Sequence, residues 1–232
     1  MDELEAGSRE KRRQNGWAPD LTVIGMGRVG LITALSFAAK GHRVLGVDLN
    51  YHMVARLREG QPSFFEPGLH ELLTKVLDSG NLEASETYDE RLSLAPIHFI
   101  CVDTGSVDGI ALDLTNLCSA LQDLSPYVRP DAVVALRSTV PPGTTEAARR
   151  LLSKNGGGPS VACNPEFLRE GSAVEDFFNP DRGGSRRDYG RGTGSPFGPL
   201  AGLPRDEDCL PFQDRRNGQV RGQHPPLGGS AP

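Results

Sequence analysis

The sequence predicts an α/β domain built on an open, doubly wound parallel sheet. Between residues 21 and 182, short apolar runs alternate with stretches of helical periodicity, the pattern of repeated βαβ units. The run at residues 97–102 is apolar except for one histidine, as expected of a strand covered by helices on both faces. Glycines separate the first apolar run from the first helical stretch. Together these observations indicate a single Rossmann-type domain.

Each predicted element follows from its local pattern. Short apolar runs predict strands at residues 21–24, 44–47, 97–102, 132–136 and 160–163. Apolar residues spaced three or four apart predict helices at residues 31–40, 51–58, 69–77, 115–127 and 144–152. We expect Thr115 to cap the fourth of these helices, because a threonine oxygen can accept hydrogen bonds from the N–H groups of a first turn.

The two ends of the chain are expected to be disordered. Residues 1–20 are charged and lack the apolar stretch of a secretory signal. Residues 183–232 are dense in glycine and proline and keep neither a helical nor a strand period. Such a segment buries too little apolar surface to offset the entropy of ordering. The predicted organisation is an extension at 1–20, a domain at 21–182 and a tail at 183–232.

Composition and charge exclude several classes of function. The chain has 232 residues and a net charge of -5, so it has no electrostatic attraction for nucleic acid or an anionic membrane. No run of 18 apolar residues occurs, and no transmembrane helix is expected. The four cysteines lack the spacing of a metal site, so we expect no metal and free thiols in the cytoplasm.

A phosphate-binding turn is predicted after the first strand, where the sequence is Gly-Met-Gly-Arg-Val-Gly. It follows a strand and opens a helix, which is the context that this motif requires. Gly25 permits the tight turn, Gly27 admits a diphosphate close to the backbone, and Gly30 lets the helix approach the strand. With Arg28 and Val29 they present N–H groups at a helix start, where the dipole favours an anion.

The predicted cofactor is NAD. Asp48 ends the second predicted strand, 18 residues after Gly30, where a carboxylate accepts hydrogen bonds from the adenosine ribose hydroxyls. Because a carboxylate there would repel a 2′-phosphate, NAD is favoured over NADP. The alternative is a glycine-rich turn without a cofactor, in which Asp48 merely caps a helix.

Four segments together resemble the UDP-glucose/GDP-mannose dehydrogenase family. They are VIGMGRVGLITALSFAAKGHRVLGVD (23–48), FFEPGL (64–69), LRSTVPPGTT (136–145) and CNPEFLREGSAVEDFFNPDR (163–182). The likeness covers residues 21–182, the N-terminal domain of the family. It implies NAD-dependent oxidation of a nucleotide sugar, of the UDP-glucose or GDP-mannose type, at C6 to the uronic acid through a cysteine-bound intermediate. Other Rossmann dehydrogenases share the glycine motif but would not explain the Asn-Pro-Glu-Phe-Leu-Arg-Glu-Gly segment.

The resemblance also implies roles for individual residues. Thr139 would hydrogen-bond near the reacting centre and the cofactor, and Glu166 would assist the water that releases the acid. Glu170 would contact the cofactor and help to order the site. Phe167 and Leu168, with Glu166, would hold the sugar end of the substrate. The alternative for the two glutamates is a pair at a helix start, stabilised by the helix dipole.

The sequence departs from the family pattern in two places. Thr104 keeps the threonine of the turn after the fourth family strand, but Asp103 and Gly105 flank it, so we expect a weakened cofactor contact. The family's Gly-Phe-Gly-Gly-x-Cys block is absent from the 232 residues, as are its dimerising central helix and second domain, and Cys209 does not match that block. We therefore expect no activity from this chain alone, which leaves an NAD-binding regulatory or partner-pairing module as the alternative function.

The composition of the tail offers an explanation for these absences. With suitable codons, the segment at residues 213–226, translated one base later, resembles the central helix of the family. We interpret residues 183–232 as out-of-frame sequence, produced by a frameshift or a sequencing error. Full-length family members would dimerise through the helix that this frame lacks.

Overall fold

The computed structural model describes four stretches of the chain, residues 17–107, 111–153, 157–165 and 168–178. The predicted C-terminal tail and most of the predicted N-terminal extension lie outside them. Glu166 and Phe167 also lie outside the described residues, so the roles expected of them stay predictions. Within the described stretches, no helix combines the length and the apolar character needed to cross a bilayer.

Strands and helices alternate along the chain as the sequence predicts. The strands are β1 (Leu21–Ile24), β2 (Val44–Val47), β3 (Leu82–Ser85), β4 (Ile97–Ile100), β5 (Gly105–Val107), β6 (Ala111–Asp113), β7 (Val133–Leu136) and β8 (Ser160–Cys163). The helices are α1 (Arg28–Ala39), α2 (Tyr51–Arg58), α3 (Leu69–Ser79), α4 (Thr115–Leu124), α5 (Thr144–Leu152) and α6 (Ala173–Phe178), with a 3₁₀ helix at Glu90–Leu94.

Six strands form one parallel sheet in the order β3-β2-β1-β4-β7-β8. The chain builds outward from β1 on one side and then crosses over to continue from β4 on the other. This reversal of strand order between β1 and β4 confirms the predicted doubly wound, Rossmann-type fold. In such sheets the crevice at the carboxyl ends of the two central strands is where ligands bind.

Two apolar clusters cover the two faces of the sheet. Side chains alternate between faces along a strand, so Val23 belongs to one cluster and Ile24 to the other. Phe99 and Ile100 divide in the same way on β4. Because each face is packed against helices, the central strands β1 and β4 are apolar except for Thr22 and His98, which are buried and hydrogen-bond to each other.

Several features differ from the sequence predictions, among them helix α6 and the 3₁₀ helix at Glu90–Leu94, which were not predicted. β3 was not predicted; it lies at an edge of the sheet, where its middle residues are half-exposed and no apolar run is needed. The small antiparallel pair β5–β6 was not predicted either. The cap expected at Thr115 is wrong, because Asp113 Oδ1 accepts hydrogen bonds from both the N–H and the hydroxyl of Thr115. Helix α4 begins at Thr115 itself, and its N-cap position is Leu114, which makes no side-chain capping hydrogen bond.

Candidate functional site

A crevice of about 600 Å³ lies where the strand order reverses. The turn after β1 forms one wall, and the loops after β4 and β7 form the other. Seven of the residues that sequence analysis singled out line it: Gly25, Gly27, Arg28, Val29, Asp48, Thr104 and Thr139. The fold therefore brings together residues that are more than one hundred positions apart in the sequence.

The three glycines of the turn have different steric surroundings. Gly25 has a φ of +87°, and a Cβ placed there would lie 2.9 Å from the carbonyl oxygen of Cys101. A Cβ on Gly30 would lie 1.8 Å from the carbonyl oxygen of Gly25, so the helix could not approach the strand. A Cβ on Gly27 would meet no atom within 4 Å. Protein packing thus requires glycine at Gly25 and Gly30, whereas the space beside Gly27 opens into the crevice.

Helix α1 presents an uncapped amino end to the crevice. Gly27 is its N-cap residue and supplies no side-chain hydrogen bond, and the first turn contains no acidic residue. The N–H groups of this turn and the positive end of the helix dipole therefore favour an anion at this position. A diphosphate fits this arrangement, because the adjoining space at Gly27 contains no side chain to displace.

Asp48 links the end of β2 to the glycine turn. Its Oδ2 accepts a hydrogen bond from the Met26 N–H at 2.7 Å, and its Oδ1 accepts one from the Asn50 N–H at 2.9 Å. Helix α2 is capped by Asn50, whose side chain accepts a hydrogen bond from the Met53 N–H. The alternative in which Asp48 merely caps a helix is therefore wrong. Each carboxylate oxygen keeps lone pairs for a further donor such as a ribose hydroxyl.

The opposite wall is held together by hydrogen bonds between two loops. The Thr104 hydroxyl donates to the Thr139 carbonyl oxygen at 3.1 Å, and the Ser138 hydroxyl donates to the Val102 carbonyl oxygen. The Thr104 proton is thus engaged within the protein, which leaves only acceptor lone pairs on this hydroxyl for a ligand. The cofactor contact expected of Thr104 therefore remains a prediction, and it is restricted to a contact in which the Thr104 hydroxyl accepts a hydrogen bond.

A cluster of charged and aromatic side chains connects the glycine turn to the segment that follows residue 167. The Arg28 guanidinium lies 3.0 Å from Glu170 Oε1 and 3.6 Å from Glu66 Oε2. It also lies over the ring of Phe64, 4.9 Å from the centroid. Glu66 lies in the segment FFEPGL (64–69), and no role for it was predicted from the sequence. The structure marks this residue by its burial. Glu66 is only 3% exposed, whereas a glutamate in an ordinary surface loop is exposed to solvent.

Leu168 has a different environment from the other predicted site residues. It is partly buried and packs against the apolar cluster that contains Val23 and Phe99. It is not among the residues that line the crevice. Its predicted contact with a sugar stays a prediction.

The described cysteines include one at the crevice, Cys101, which is buried. Burial raises the pKa of its thiol to about 12. This effect outweighs the nearby Arg137 charge and the hydrogen bond with Thr33, both of which lower the pKa. The thiol is therefore protonated at neutral pH and is a poor nucleophile. Burial also raises the pKa of the Tyr88 hydroxyl in the crevice, with Asp123 and Asp48 adding to the shift, so this side chain remains a neutral phenol.

The fold and the crevice define a dinucleotide-binding domain of the dehydrogenase type. A family model described as "UDP-glucose/GDP-mannose dehydrogenase family, NAD binding domain" matches residues 20–192. The chain belongs to this family, and the predictions of an NAD cofactor and of the family are confirmed.

Relatives and solved structures agree with this assignment. The chain is 40% identical over 166 residues to a UDP-glucose 6-dehydrogenase of Bacillus subtilis, covering 70% of this chain and 38% of that protein. It is similar to a UDP-glucose dehydrogenase structure from Pyrobaculum islandicum, with a TM-score of 0.66 and 42% identity. The match covers 73% of this chain and 40% of that one. A ternary complex of GDP-mannose dehydrogenase from Pseudomonas aeruginosa gives a TM-score of 0.64 and 31% identity. That match covers 68% of this chain and 38% of the other. The chain thus spans about two fifths of the length of these proteins.

Proposed function

We propose that this chain supplies the NAD-binding half of a nucleotide-sugar 6-dehydrogenase of the cytoplasm, acting on a substrate of the UDP-glucose or GDP-mannose type. The observation that carries the proposal is the glycine turn whose Met26 N–H is held by Asp48 at 2.7 Å, beside the uncapped start of α1. The printed names of the relatives support the substrate class. In the reaction, the C6 alcohol would be oxidised to the carboxylate, and NAD would accept the hydride at each oxidation step.

The residues of the crevice divide the work of holding the cofactor. The N–H groups of the first turn of α1 would bind the diphosphate, with Gly27 admitting it close to the backbone. Asp48 would accept hydrogen bonds from ribose hydroxyls and repel a 2′-phosphate. Thr104 and Thr139, on the loops after β4 and β7, lie at the opposite wall, where the reacting groups would meet. Glu170, paired with Arg28, would order this region.

We further propose that the 232-residue chain alone binds NAD without oxidising a nucleotide sugar. The mechanism inferred for the family needs a thiolate, and Cys101 is buried with a raised pKa. Glu166 would activate the hydrolytic water, and Phe167 and Leu168 would contact the sugar, once a second part of the protein supplied the thiol and the rest of the cleft. Without that part the substrate is not oriented, and orientation supplies about 7–11 kcal/mol at the extreme.

Calorimetric titration of the chain with NAD tests the proposal, with Asp48→Ala as the disabled variant. Asp20→Ala is the matched control, because Asp20 accepts a hydrogen bond from the Arg43 N–H just before β1, at the amino ends of the parallel strands and away from the crevice. We expect the wild-type chain and the control to bind NAD and Asp48→Ala to bind it at least about tenfold more weakly. A folded wild-type sample that gives no heat with NAD would contradict the proposal.

The second candidate is an NAD-binding regulatory or partner-pairing module without catalysis, which accounts equally well for a cofactor crevice whose cysteine, Cys101, is buried. A complementation experiment separates the two. The chain is mixed with the separately produced C-terminal part of the Bacillus subtilis relative, and NADH absorbance is followed with UDP-glucose and then GDP-mannose. NADH formation that needs both pieces supports the enzyme half. Binding of NAD without NADH formation in the mixture favours the regulatory module.

A further inference from the structure

A buried carboxylate joins two segments that are far apart in the sequence. Glu66 is 3% exposed, and its Oε1 accepts a hydrogen bond from the Ala173 N–H at 2.7 Å. Its Oε2 accepts a second from the Gly171 N–H at 3.2 Å. Helix α6 has only six residues, too few to be stable from its own hydrogen bonds. Its amino end is therefore held by tertiary contacts, of which Glu66 is one and the Asp176 carboxylate, which accepts from Arg169 and Ser172, is another.

The same carboxylate faces the phosphate turn through Arg28. This arginine is the first residue of α1 and lines the crevice, and one of its nitrogens, Nη1, lies 3.6 Å from Glu66 Oε2. Within the described part of the chain Nη1 is buried and has no hydrogen-bond partner, since 3.6 Å is too long for one. The other nitrogen, Nη2, pairs with Glu170. One cation thus bridges two carboxylates and is held in place by the ring of Phe64.

We propose that Glu66 is a positioning residue that couples NAD binding at the glycine turn to the order of residues 168–173, with Arg28 as the connecting cation. The inference rests on the proposed function, because it concerns how the cofactor half presents Glu170 to the reaction. Binding of NAD fixes the first turn of α1 and with it the base of the Arg28 side chain. The guanidinium then fixes Glu66 and Glu170, and Glu66 holds the Gly171 and Ala173 N–H groups. By linkage, ordering of residues 168–173 strengthens NAD binding by the same factor.

Hydrogen exchange on the complete 232-residue chain tests this coupling. We expect saturating NAD to slow exchange in peptides spanning residues 168–176 by at least about fivefold in the wild type. Glu66→Gln should remove this NAD-dependent protection, because an amide cannot accept from both N–H groups and attract the guanidinium as well. It should also weaken NAD binding by a similar factor, although Glu66 does not line the crevice.

Two further variants separate coupling from a purely structural role. Arg28→Met should abolish the NAD-dependent protection while leaving protection without NAD near the wild-type level, because Glu66 still accepts both N–H groups. Arg28→Lys, which keeps the positive charge, should retain part of the NAD-dependent protection. Asp20→Asn is the matched control, since Asp20 also accepts hydrogen bonds from a backbone N–H and a guanidinium, both of Arg43, but at the amino ends of the parallel strands, away from the crevice. It should change neither measurement.

The outcomes are distinguishable from a failure of the proposed function. If the wild type binds NAD but exchange in residues 168–176 is the same with and without it, the coupling is refuted and the cofactor site stands. If Arg28→Met lowers protection equally with and without NAD, the cluster is only structural and the proposal is wrong. If the folded wild type does not bind NAD, both proposals fall. Should Glu66→Gln not fold, as judged by circular dichroism, the two Arg28 variants decide the question.

Discussion

The Asp48 carboxylate accepts a hydrogen bond from the Met26 N–H at 2.7 Å across 22 positions of sequence. The bond joins the end of β2 to the glycine turn between β1 and α1. It places a negative charge beside the crevice while leaving acceptor lone pairs on both carboxylate oxygens. The same side chain therefore stabilises the turn, and we propose that it also selects the cofactor.

Replacing Asp48 by Asn tests both of these roles. The amide has one acceptor oxygen for the two N–H groups of Met26 and Asn50, so we expect a loss of about 1–2 kcal/mol in the free energy of unfolding. Loss of the charge should also reduce the preference for NAD over NADP, measured as the ratio of their Kd values. Asp20→Asn should leave that ratio unchanged, and an unaltered ratio in Asp48→Asn would contradict the assignment.

Gly27→Ala should weaken NAD binding while leaving the fold intact. The backbone there has φ -63° and ψ -163°, which alanine adopts without strain, and an added Cβ meets no protein atom within 4 Å. We therefore expect a change of less than about 1 kcal/mol in the free energy of unfolding. The methyl group occupies the space proposed for the diphosphate, so NAD affinity should fall by about tenfold or more. Calorimetry and urea unfolding measure the two effects, and unchanged affinity would place the diphosphate elsewhere.

Gly30→Ala should give the opposite result. Its Cβ would lie 1.8 Å from the Gly25 carbonyl oxygen, so α1 would have to move away from β1. We expect a destabilisation of about 3 kcal/mol or more, visible as a lowered urea midpoint. With Gly27→Ala as its matched partner, this substitution distinguishes a packing glycine from a ligand-facing one. Equal stability of the two variants would refute that distinction.

Buried His98 should make stability depend on pH. The side chain is fully buried, and its Nδ1 shares a hydrogen bond with the Thr22 hydroxyl at 2.8 Å. Burial lowers its pKa from 6.5 to about 4, with Arg129 adding to the shift. Between pH 6.5 and about pH 4, His98 is protonated in the unfolded chain but neutral in the folded chain. The free energy of unfolding therefore decreases progressively as the pH falls through this interval.

The size of this effect follows from the two pKa values. Between pH 7 and pH 5 the free energy of unfolding should fall by about 2 kcal/mol on account of His98. Urea unfolding at both pH values measures the difference. His98→Gln should flatten the dependence, whereas His70→Gln at an exposed position should preserve it. A wild-type stability that does not change over this interval would contradict the burial of an uncharged His98.

Cys101 should resist alkylation in the folded chain. Its burial raises the thiol pKa to about 12, so almost no thiolate forms at pH 8. We expect mass spectrometry to find the Cys101 peptide unmodified after iodoacetamide treatment that labels Cys118 and Cys163, which are only half-buried. In urea all three should react. Rapid labelling of Cys101 in the folded protein would reopen its candidacy as the nucleophile.

Local patterns predicted much of the fold because they record which faces are buried. The apolar strands β1, β2, β4 and β7 were predicted within two residues of their observed bounds, since central strands of a parallel sheet are covered on both faces. The edge strand Leu82–Ser85 lacked that signal, because an edge position tolerates polar side chains. Thr115 was misassigned because Asp113, two residues earlier, competes for its N–H and hydroxyl.

The sequence by itself predicted the glycine turn and its acid, because Gly25 and Gly30 satisfy short-range backbone geometry and Asp48 stands at the end of the second strand, at a spacing that the motif records. Only the tertiary structure showed that the Glu66 carboxylate holds the backbone at residues 171–173. Its partners, the Gly171 and Ala173 N–H groups, lie more than one hundred positions away, and a backbone N–H leaves no trace in residue identity. Contacts between a side chain and a distant backbone exist only once packing has brought the segments together, so burial of the carboxylate became visible only in three dimensions.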